Sequence, residues 1–369
     1  MDPAEIRDLA GSLVRILDDD GRARGSWSSA LELDDLVAGL RAMLTVRELD
    51  RRMLAAQRQG KTSFYMQALG EEAIACAAWA ALRDGDMHFP TYRQQGLLVA
   101  AGYPLADMMS QVYSNARDPM LGRQMPVFYS ARAHGFFSIS GNLGTQFSQS
   151  VGWAMAAAMR GSDDIAMGWI GDGATAESDF HAALVFASTY RAPVVLSVVN
   201  NQWAISTPQA TALGSATTFA AKAHGFGMPG LRVDGNDYLA VHAATGWAAA
   251  RARSGYGATL IEFVTYRGGA HSSSDDPSKY RPTDEFEHWP LGDPVDRLRQ
   301  HLEVAWGWTP DDQGALQDAV IAEVRDAQIE AEKAGTLVGG PHVSPRTMFD
   351  DVFEVQPPHL RRQRQSMGF

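Results

Sequence analysis

The sequence predicts an α/β protein built on a mostly parallel sheet flanked by helices. Short apolar runs alternate along the chain with segments of helical periodicity about 10–15 residues long, which is typical of a doubly wound sheet. The run TLIEFVTY from Thr259 to Tyr266 combines β-branched and aromatic residues, as strands do. Helical patterns also precede and follow the alternating region, so we expect helical N- and C-terminal extensions.

The first predicted element is a long helix near the N-terminus. Apolar residues recur at helical spacing from Leu33, predicting a helix that runs to Arg58 and that Gly60 ends. Thr62–Met66 is aromatic and β-prone. Helices are further predicted over residues 73–82, 104–113, 146–159, 179–190, 238–253 and from 310 to a stop at Gly335. Strands are predicted at residues 136–139, 165–170, 194–199, 231–233 and 259–266, and His88–Arg93 is expected to be a short strand that runs into a polar loop.

Composition bounds the class of protein. The 369 residues are 45% hydrophobic and 20% charged, which is typical of a globular chain. A formal net charge of −11, with no Lys/Arg-rich stripe, argues against nucleic acid as the main partner. No apolar run approaches the roughly 20 residues of a membrane span, so no membrane association is expected. The lone cysteine, Cys76, lies in an apolar run, excludes an internal disulfide and is expected to be buried.

The chain divides into three expected parts: an N-terminal arm over residues 1–34, a main domain over 35–335 and a C-terminal tail over 336–369. The start, Met1 to Glu5, is acidic and lacks both the apolar core of a secretory signal and the Arg-rich character of a transit peptide. The cytoplasm of a bacterium is therefore the expected location.

One stretch, Gly171 to Ser206, organises the predicted site. Gly171-Asp172-Gly173 follows one apolar run, and Asn200-Asn201 follows the next. Parallel strands open at the same edge of a sheet, where ligands bind. An Asp at one turn and an Asn at the next can then meet on one hard metal ion, while adjacent glycines let a phosphate approach the backbone.

This spacing resembles the magnesium and diphosphate motif of thiamine diphosphate enzymes, and the resemblance implies their cofactor-binding fold. Over roughly residues 35–335 the chain resembles the α subunit of the decarboxylating component of 2-oxoacid dehydrogenase complexes. The resemblance implies that Asp172 and Asn201 bind Mg²⁺ through their side chains and Trp203 through its backbone carbonyl. It also places further residues against the cofactor: Gly171, Gly173, Ala174 and Ile205.

Other positions match the same family. Tyr92-Arg93 resembles the pair that contacts the diphosphate, which an arginine can grip with two hydrogen bonds. Leu143 resembles the apolar residue placed against the bend of the cofactor, and Ser140 belongs to the same cofactor-binding turn. With Thr145 and Gln146, Ser140 also matches positions that line a potassium site in some relatives. Three residues of the following helix keep the family pattern: Glu177, Asp179 and His181.

His271 is the candidate catalytic residue. It lies in the loop Gly268–Pro282 and resembles the family's histidine that faces the reacting carbon and assists acyl transfer. Many relatives have two adjacent histidines where this chain has Ala270 followed by His271. They also carry an arginine where this chain has Val199, so one diphosphate contact is absent or supplied elsewhere. The loop has few apolar anchors, and we expect it to be mobile until phosphate and metal order it.

The resemblance implies decarboxylation of a 2-oxoacid with thiamine diphosphate and transfer of the acyl group to the lipoyl group of an acyltransferase core. The glutamate that activates the cofactor cannot be placed in this chain. It is expected on a β subunit, which implies an α2β2 assembly.

The substrate class is less constrained. HSSSDDPSKYRP, together with GRQMPV, resembles branched-chain members more than pyruvate ones. A pyruvate or acetoin dehydrogenase α subunit is the alternative. A nucleotide-binding oxidoreductase would need Gly-x-Gly-x-x-Gly, and the motif has no third glycine. A non-catalytic protein that keeps the fold would be expected to lack Asp172, Asn201 or His271, and all three are present.

Overall fold

A parallel sheet forms the centre of the computed structural model, which describes residues 9–369; the acidic start, Met1 to Glu5, lies outside the described residues. Its six strands run in the order β1-β7-β8-β4-β3-β2, every pair parallel. A separate two-stranded ribbon joins β5 to β6. The strands are β1 Leu13–Val14, β2 Met87–Phe89, β3 Ala166–Gly171, β4 Val194–Asn200, β5 Trp203–Ala204, β6 Thr207–Pro208, β7 Gly230–Asp234 and β8 Thr259–Val264.

Helices cover both faces of this sheet, which confirms the predicted architecture. Strands β3, β4 and β8 are buried almost throughout, as expected for a parallel sheet covered on two sides. The helices are α1 Leu33–Arg58, α2 Glu72–Ala81, α3 Gly96–Ala100, α4 Leu105–Tyr113, α5 Thr145–Met159, α6 Ser178–Thr189, α7 Gln209–Leu213, α8 Tyr238–Arg253, α9 Pro294–Trp306, α10 Pro310–Lys333 and α11 Pro358–Ser366.

Two apolar cores lie on opposite faces of the sheet. One contains Trp169 and Phe263 and is shared with α1, α2 and α8. The other contains Ile170 and Leu260 and is shared with α5 and α6. Because neighbouring residues of β3 enter different cores, the strand is fixed in register, and so is the turn at its carboxyl end.

Helix ends follow the local chemistry of the sequence. Asp237 caps α8 by accepting a hydrogen bond from the Ala240 amide at 3.0 Å. At α10, Thr309 and Asp312 form a capping box. At these two capped starts, the predicted first residues, 238 and 310, agree with the structure, whereas α9 was not predicted.

One β-prone segment and one predicted strand do not form strands in the structure. Thr62–Met66 is not a strand; Tyr65 instead donates its backbone amide to the Ser273 hydroxyl and accepts from the Ser273 amide. Phe136–Ile139 forms only isolated bridges, such as that of Phe136 with His88. In both segments, β-propensity yields to packing against an irregular loop.

The N-terminal arm enters the main sheet, which the sequence did not predict. Leu13–Val14 pairs in parallel with β7 through Arg232 and Val233. Two-residue strands carry too little periodicity to be recognised. The division at residues 34 and 335 stays a prediction, and the sheet itself joins the arm to the main domain.

Burial of Cys76 is confirmed, since its side chain packs within the core. Across the described residues, no helix combines the length and apolar character needed to cross a membrane.

Candidate active site

A cavity of about 370 Å³ opens beyond the carboxyl ends of β3 and β4. It gathers residues that lie far apart in the sequence. The predicted site residues that line it are Tyr92, Arg93, Leu143, Gly171, Asp172, Gly173, Ala174, Asn201, Trp203, Ile205 and His271. A larger cavity, of about 840 Å³, lies mainly between α1 and α10 and contains none of the predicted site residues.

Asp172 and Asn201 extend from neighbouring strands at this edge. Gly171 of β3 lies level with Val199 of β4, so the polar residues that follow them share one side of the cavity. The Asp172 Oδ1 atom accepts from the Gly173 amide at 2.8 Å, while the buried Oδ2 atom has no hydrogen-bond partner. Desolvation by burial raises the pKa of Asp172 to about 6. An unpartnered carboxylate oxygen beside an amide oxygen fits a hard divalent cation.

The turn after β4 has a constrained backbone. Gln202 and Ile205 adopt left-handed conformations, with φ of 75° and 55°. Such residues concentrate at functional sites. The Trp203 carbonyl accepts from Arg267 Nη1 at 2.9 Å, which uses one of its two lone pairs and leaves the other for a metal ion. Arg267 also donates to the Ile205 carbonyl at 2.8 Å, so one guanidinium fixes the turn.

Arg93 is buried and already bonded within the protein. Its Nη1 atom donates to the Gln67 carbonyl at 2.5 Å, and its Nη2 atom to the His271 carbonyl at 3.1 Å. Its Nε atom lies 3.5 Å from Glu71 Oε1. A guanidinium has five N–H donors, so these contacts position Arg93 and still leave donors for an anion in the cavity.

Glu71 is a cavity residue that sequence reasoning missed. It lies directly before α2, lines the cavity and accepts from the Asn201 Nδ2 atom at 2.6 Å. Desolvation by burial raises the pKa of Glu71 to about 7. The only sequence signal is Gly70-Glu71-Glu72 before a helix, and carboxylates at a helix start are common for reasons unrelated to a site.

His271 lies between aromatic and cationic groups. Its ring meets that of Tyr92 edge-on, with centroids 5.9 Å apart. Its Nδ1 atom lies 3.4 Å from an N–H donor of Arg93 and 3.4 Å from one of Arg267. Burial, followed by these two cations, lowers the pKa of His271 to about 4. The imidazole is therefore neutral at neutral pH, with Nδ1 as acceptor and the proton on Nε2.

The loop around His271 is held by polar contacts. Arg281 donates to the backbone carbonyls of Arg267 at 2.6 Å and Gly269 at 2.7 Å. The Tyr280 hydroxyl donates to Asp275, which also accepts from the His271 amide at 2.8 Å. The sequence predicted few apolar anchors and missed these polar ones; mobility of the loop without cofactor stays a prediction.

The turn before α5 holds the residues with a predicted potassium role. Ser140 does not line the cavity, whereas Leu143 and Gln146 do. Gln146 Nε2 donates to the Ser140 carbonyl at 3.0 Å, and the Thr145 hydroxyl donates to that of Ser140 at 3.0 Å. The turn is thus closed by its own polar groups, and a potassium ion there stays a prediction.

Three family-pattern residues at the start of α6 do not line the cavity. Glu177 and His181 are exposed, and Asp179 accepts from the Ser148 hydroxyl at 2.9 Å. Asp179 therefore joins α6 to α5 at the N-terminus of α6, where the helix dipole also favours a carboxylate.

Comparison with known proteins relates this geometry to one family. Residues 40–338 match the family model described as dehydrogenase E1 component. The chain is 60% identical to 2-oxoisovalerate dehydrogenase subunit alpha of Pseudomonas aeruginosa over 368 residues, which cover 100% of this chain and 90% of the relative. It is 38% identical to the mitochondrial 2-oxoisovalerate dehydrogenase subunit alpha of Mus musculus over 96% of this chain and 79% of that protein. It is 37% identical to the mitochondrial subunit alpha 2 of Arabidopsis thaliana, over 95% and 73%.

Proposed function

Because the chain belongs to the dehydrogenase E1 component family, we propose that it catalyses the oxidative decarboxylation of branched-chain 2-oxoacids as the α subunit of a 2-oxoisovalerate dehydrogenase. The acyl group passes to the lipoyl group of the acyltransferase core. One observation carries the proposal beyond the family: the unpartnered Asp172 oxygen, the Asn201 amide and His271 line a single cavity at the strand ends.

The donor set of this cavity fits thiamine diphosphate with Mg²⁺. The Asp172 and Asn201 side chains and the Trp203 carbonyl would hold the metal, with phosphate oxygens completing an all-oxygen shell. Tyr92 and Arg93, which line the same cavity, would hold the diphosphate. A Cβ at Gly173 would lie 2.4 Å from that of Ala204, so only glycine leaves the backbone this close to the turn.

When bound, thiamine diphosphate supplies the nucleophilic carbon and the electron sink on which loss of carbon dioxide depends. The chain supplies binding and proton placement. The His271 ring contacts Arg93 and Arg267 through Nδ1, and its backbone amide donates to the Asp275 carboxylate, so these groups define the orientation of the ring. In its neutral form it presents an Nε2 proton and can stabilise developing charge on the substrate oxygen during acyl transfer.

The active site needs a partner to be complete. Glu71 is bonded to Asn201 and lies near Arg93, so it is already engaged on this side of the cavity. From the family resemblance, we place the glutamate that activates the cofactor on a β subunit, in an α2β2 assembly that docks with the lipoyl-bearing acyltransferase. A potassium ion at the Ser140 turn and a bacterial cytoplasmic location complete the proposal, the latter supported by the 60% identity to a bacterial relative.

The substrate class is the part of this proposal for which there is an alternative hypothesis. The relatives described above all carry names for 2-oxoisovalerate, which favours branched-chain acids over pyruvate or acetoin-derived substrates. Decarboxylation rates of 2-oxoisovalerate and pyruvate, measured with the β subunit present, decide between them. We expect a clear preference for 2-oxoisovalerate; a clear preference for pyruvate would reject the branched-chain assignment.

A further inference from the structure

The side-chain amide of Asn201 is held at both ends. Its Nδ2 atom donates to Glu71 Oε1 at 2.6 Å. Its Oδ1 atom accepts from the Trp203 backbone amide at 3.2 Å. An amide oxygen has two lone pairs, so the second remains available on the side of the cavity. Both contacts agree on which end of the amide is oxygen and which is nitrogen.

Orientation matters because the two ends of an amide have opposite polarity. If the group were flipped by 180°, two N–H donors would take the place of the oxygen and would repel a cation. The Trp203 amide alone would oppose this flip only weakly, because its hydrogen bond to Asn201 Oδ1 is long, at 3.2 Å. Glu71 makes the shorter of the two bonds, at 2.6 Å against 3.2 Å.

We propose that Glu71 is a positioning residue that fixes the Asn201 amide so that its oxygen faces the metal beside Asp172. This inference rests on the proposed function, because that function places Mg²⁺ there. Glu71 would not touch the metal in this role. It acts through Asn201, as outer-shell acceptors do at other metal sites.

The same carboxylate oxygen also lies 3.5 Å from Arg93 Nε. Glu71 is 3% exposed, and Arg93 is also buried, so each compensates the buried charge of the other. A single buried oxygen therefore connects the metal side of the cavity with the arginine expected at the diphosphate.

Glu72 provides a matched comparison. It is equally buried and adjacent in sequence, but it accepts from Arg47 Nε at 2.9 Å and from the Gly70 amide at 2.9 Å. It does not line the cavity. Replacing Glu72 removes a buried carboxylate at the same helix start without altering Asn201.

The experiment compares Glu71→Met, Glu71→Gln and Glu72→Met, each co-expressed with the β subunit. Metal-free enzyme is titrated with Mg²⁺ in a calorimeter at saturating thiamine diphosphate, and melting temperatures are recorded without ligands. We expect Glu71→Met to weaken Mg²⁺ affinity by about 10–100-fold, the range seen for outer-shell partners. Glu71→Gln keeps an acceptor oxygen and should lose less than about tenfold. Glu72→Met should lower the melting temperature and leave Mg²⁺ affinity unchanged.

The possible results distinguish a failure of the positioning role of Glu71 from a failure of the proposed function. Unchanged Mg²⁺ affinity in Glu71→Met overturns the positioning role while the proposed function stands. Should that variant not fold, Glu71→Ala takes its place: a loss of about 10–100-fold supports the role, and unchanged affinity overturns it. Failure of the unsubstituted complex to bind Mg²⁺ and cofactor at all would contradict the proposed function instead.

Discussion

Arg93 donates from Nη2 to the backbone carbonyl of His271 at 3.1 Å, across 178 positions of sequence. The arginine expected at the diphosphate and the histidine expected at the reacting carbon are thereby part of one hydrogen-bonded unit. A phosphate bound at Arg93 would therefore affect the position of the loop that carries His271. Anchoring of the cofactor and placement of the catalytic group are then coupled through Arg93.

Replacement of His271 by alanine tests its assignment to acyl transfer. Cofactor binding should be retained, because neither the metal ligands nor the Arg93 contact to the backbone carbonyl is removed. Acylation of the lipoyl group should fall by about 10²–10⁴-fold, the usual contribution of a positioned acid–base group. Single-turnover acylation of a lipoyl domain, beside calorimetry with thiamine diphosphate, measures both.

His288→Ala is the matched control for His271→Ala, since His288 is an exposed histidine of the following segment. It should acylate at the rate of the unsubstituted enzyme. Acylation by His271→Ala at that same rate would reject the catalytic role.

Arg281→Met tests the polar anchoring of the loop. The substitution removes the bonds to the Arg267 and Gly269 carbonyls and leaves them buried without a donor. We expect limited proteolysis within residues 268–282 to become faster, and bound cofactor to slow it again. Lys279→Met, at a side chain that is 79% exposed, should leave the cleavage rate unchanged. Equal cleavage of all three proteins would show that Arg281 does not hold the loop.

The thiol of Cys76 should not react with disulfide reagents in the folded protein. Burial, with the nearby Glu72 carboxylate as a smaller contribution, raises the pKa of its thiol well above the ordinary value. Only the thiolate reacts with disulfide reagents, so no thiol should titrate at pH 8 until denaturant is added, when one should appear. Rapid reaction of the native protein would mean that the core around α2 opens readily.

His88 should make stability depend on pH below neutrality. Burial lowers the pKa of His88 from 6.5 to about 3, where its ring accepts from Trp169 Nε1 at 3.3 Å and stacks on Trp79. Below pH 6.5 the unfolded chain takes up a proton at this position that the folded chain refuses. The contribution is therefore fully present above pH 6.5 and is lost at about 1.4 kcal/mol per pH unit as the pH falls toward 3.

His88→Asn keeps an acceptor near the position of Nδ1 without titrating. The free energy of unfolding of the two proteins should be compared between pH 7 and pH 5. Relative to this variant, the unsubstituted protein should lose about 2 kcal/mol over that interval, since only pH values below 6.5 contribute. Parallel curves would show that the pKa of His88 is not lowered in the folded state.

The architecture of the site was predictable where chain order and strand ends determine it. Asp172 and Asn201 follow buried strands that pair in register, so their meeting at one edge follows from the parallel sheet. His271 and Arg93 were placed by resemblance to a family, and the structure brings them to the same cavity.

The contacts among the site residues were not predictable. Glu71 and Glu72 are indistinguishable in the sequence, and only tertiary packing turns one toward Asn201 and the other toward Arg47. Arg267 likewise gave no signal, because its bonds are to backbone carbonyls that any sequence would offer. Periodicity reports which face of an element is buried and carries no information on such long-range polar pairs.

Calorimetric titration of thiamine diphosphate with Mg²⁺, performed on the α2β2 complex, tests most directly whether this chain anchors the cofactor. The unsubstituted complex should bind in a Mg²⁺-dependent manner. Asp172→Ala should lose that binding and keep its melting temperature, whereas Asp311→Ala, at an exposed position of α10, should bind normally. Absence of binding in the unsubstituted complex, or normal Mg²⁺-dependent binding in Asp172→Ala, would contradict the account.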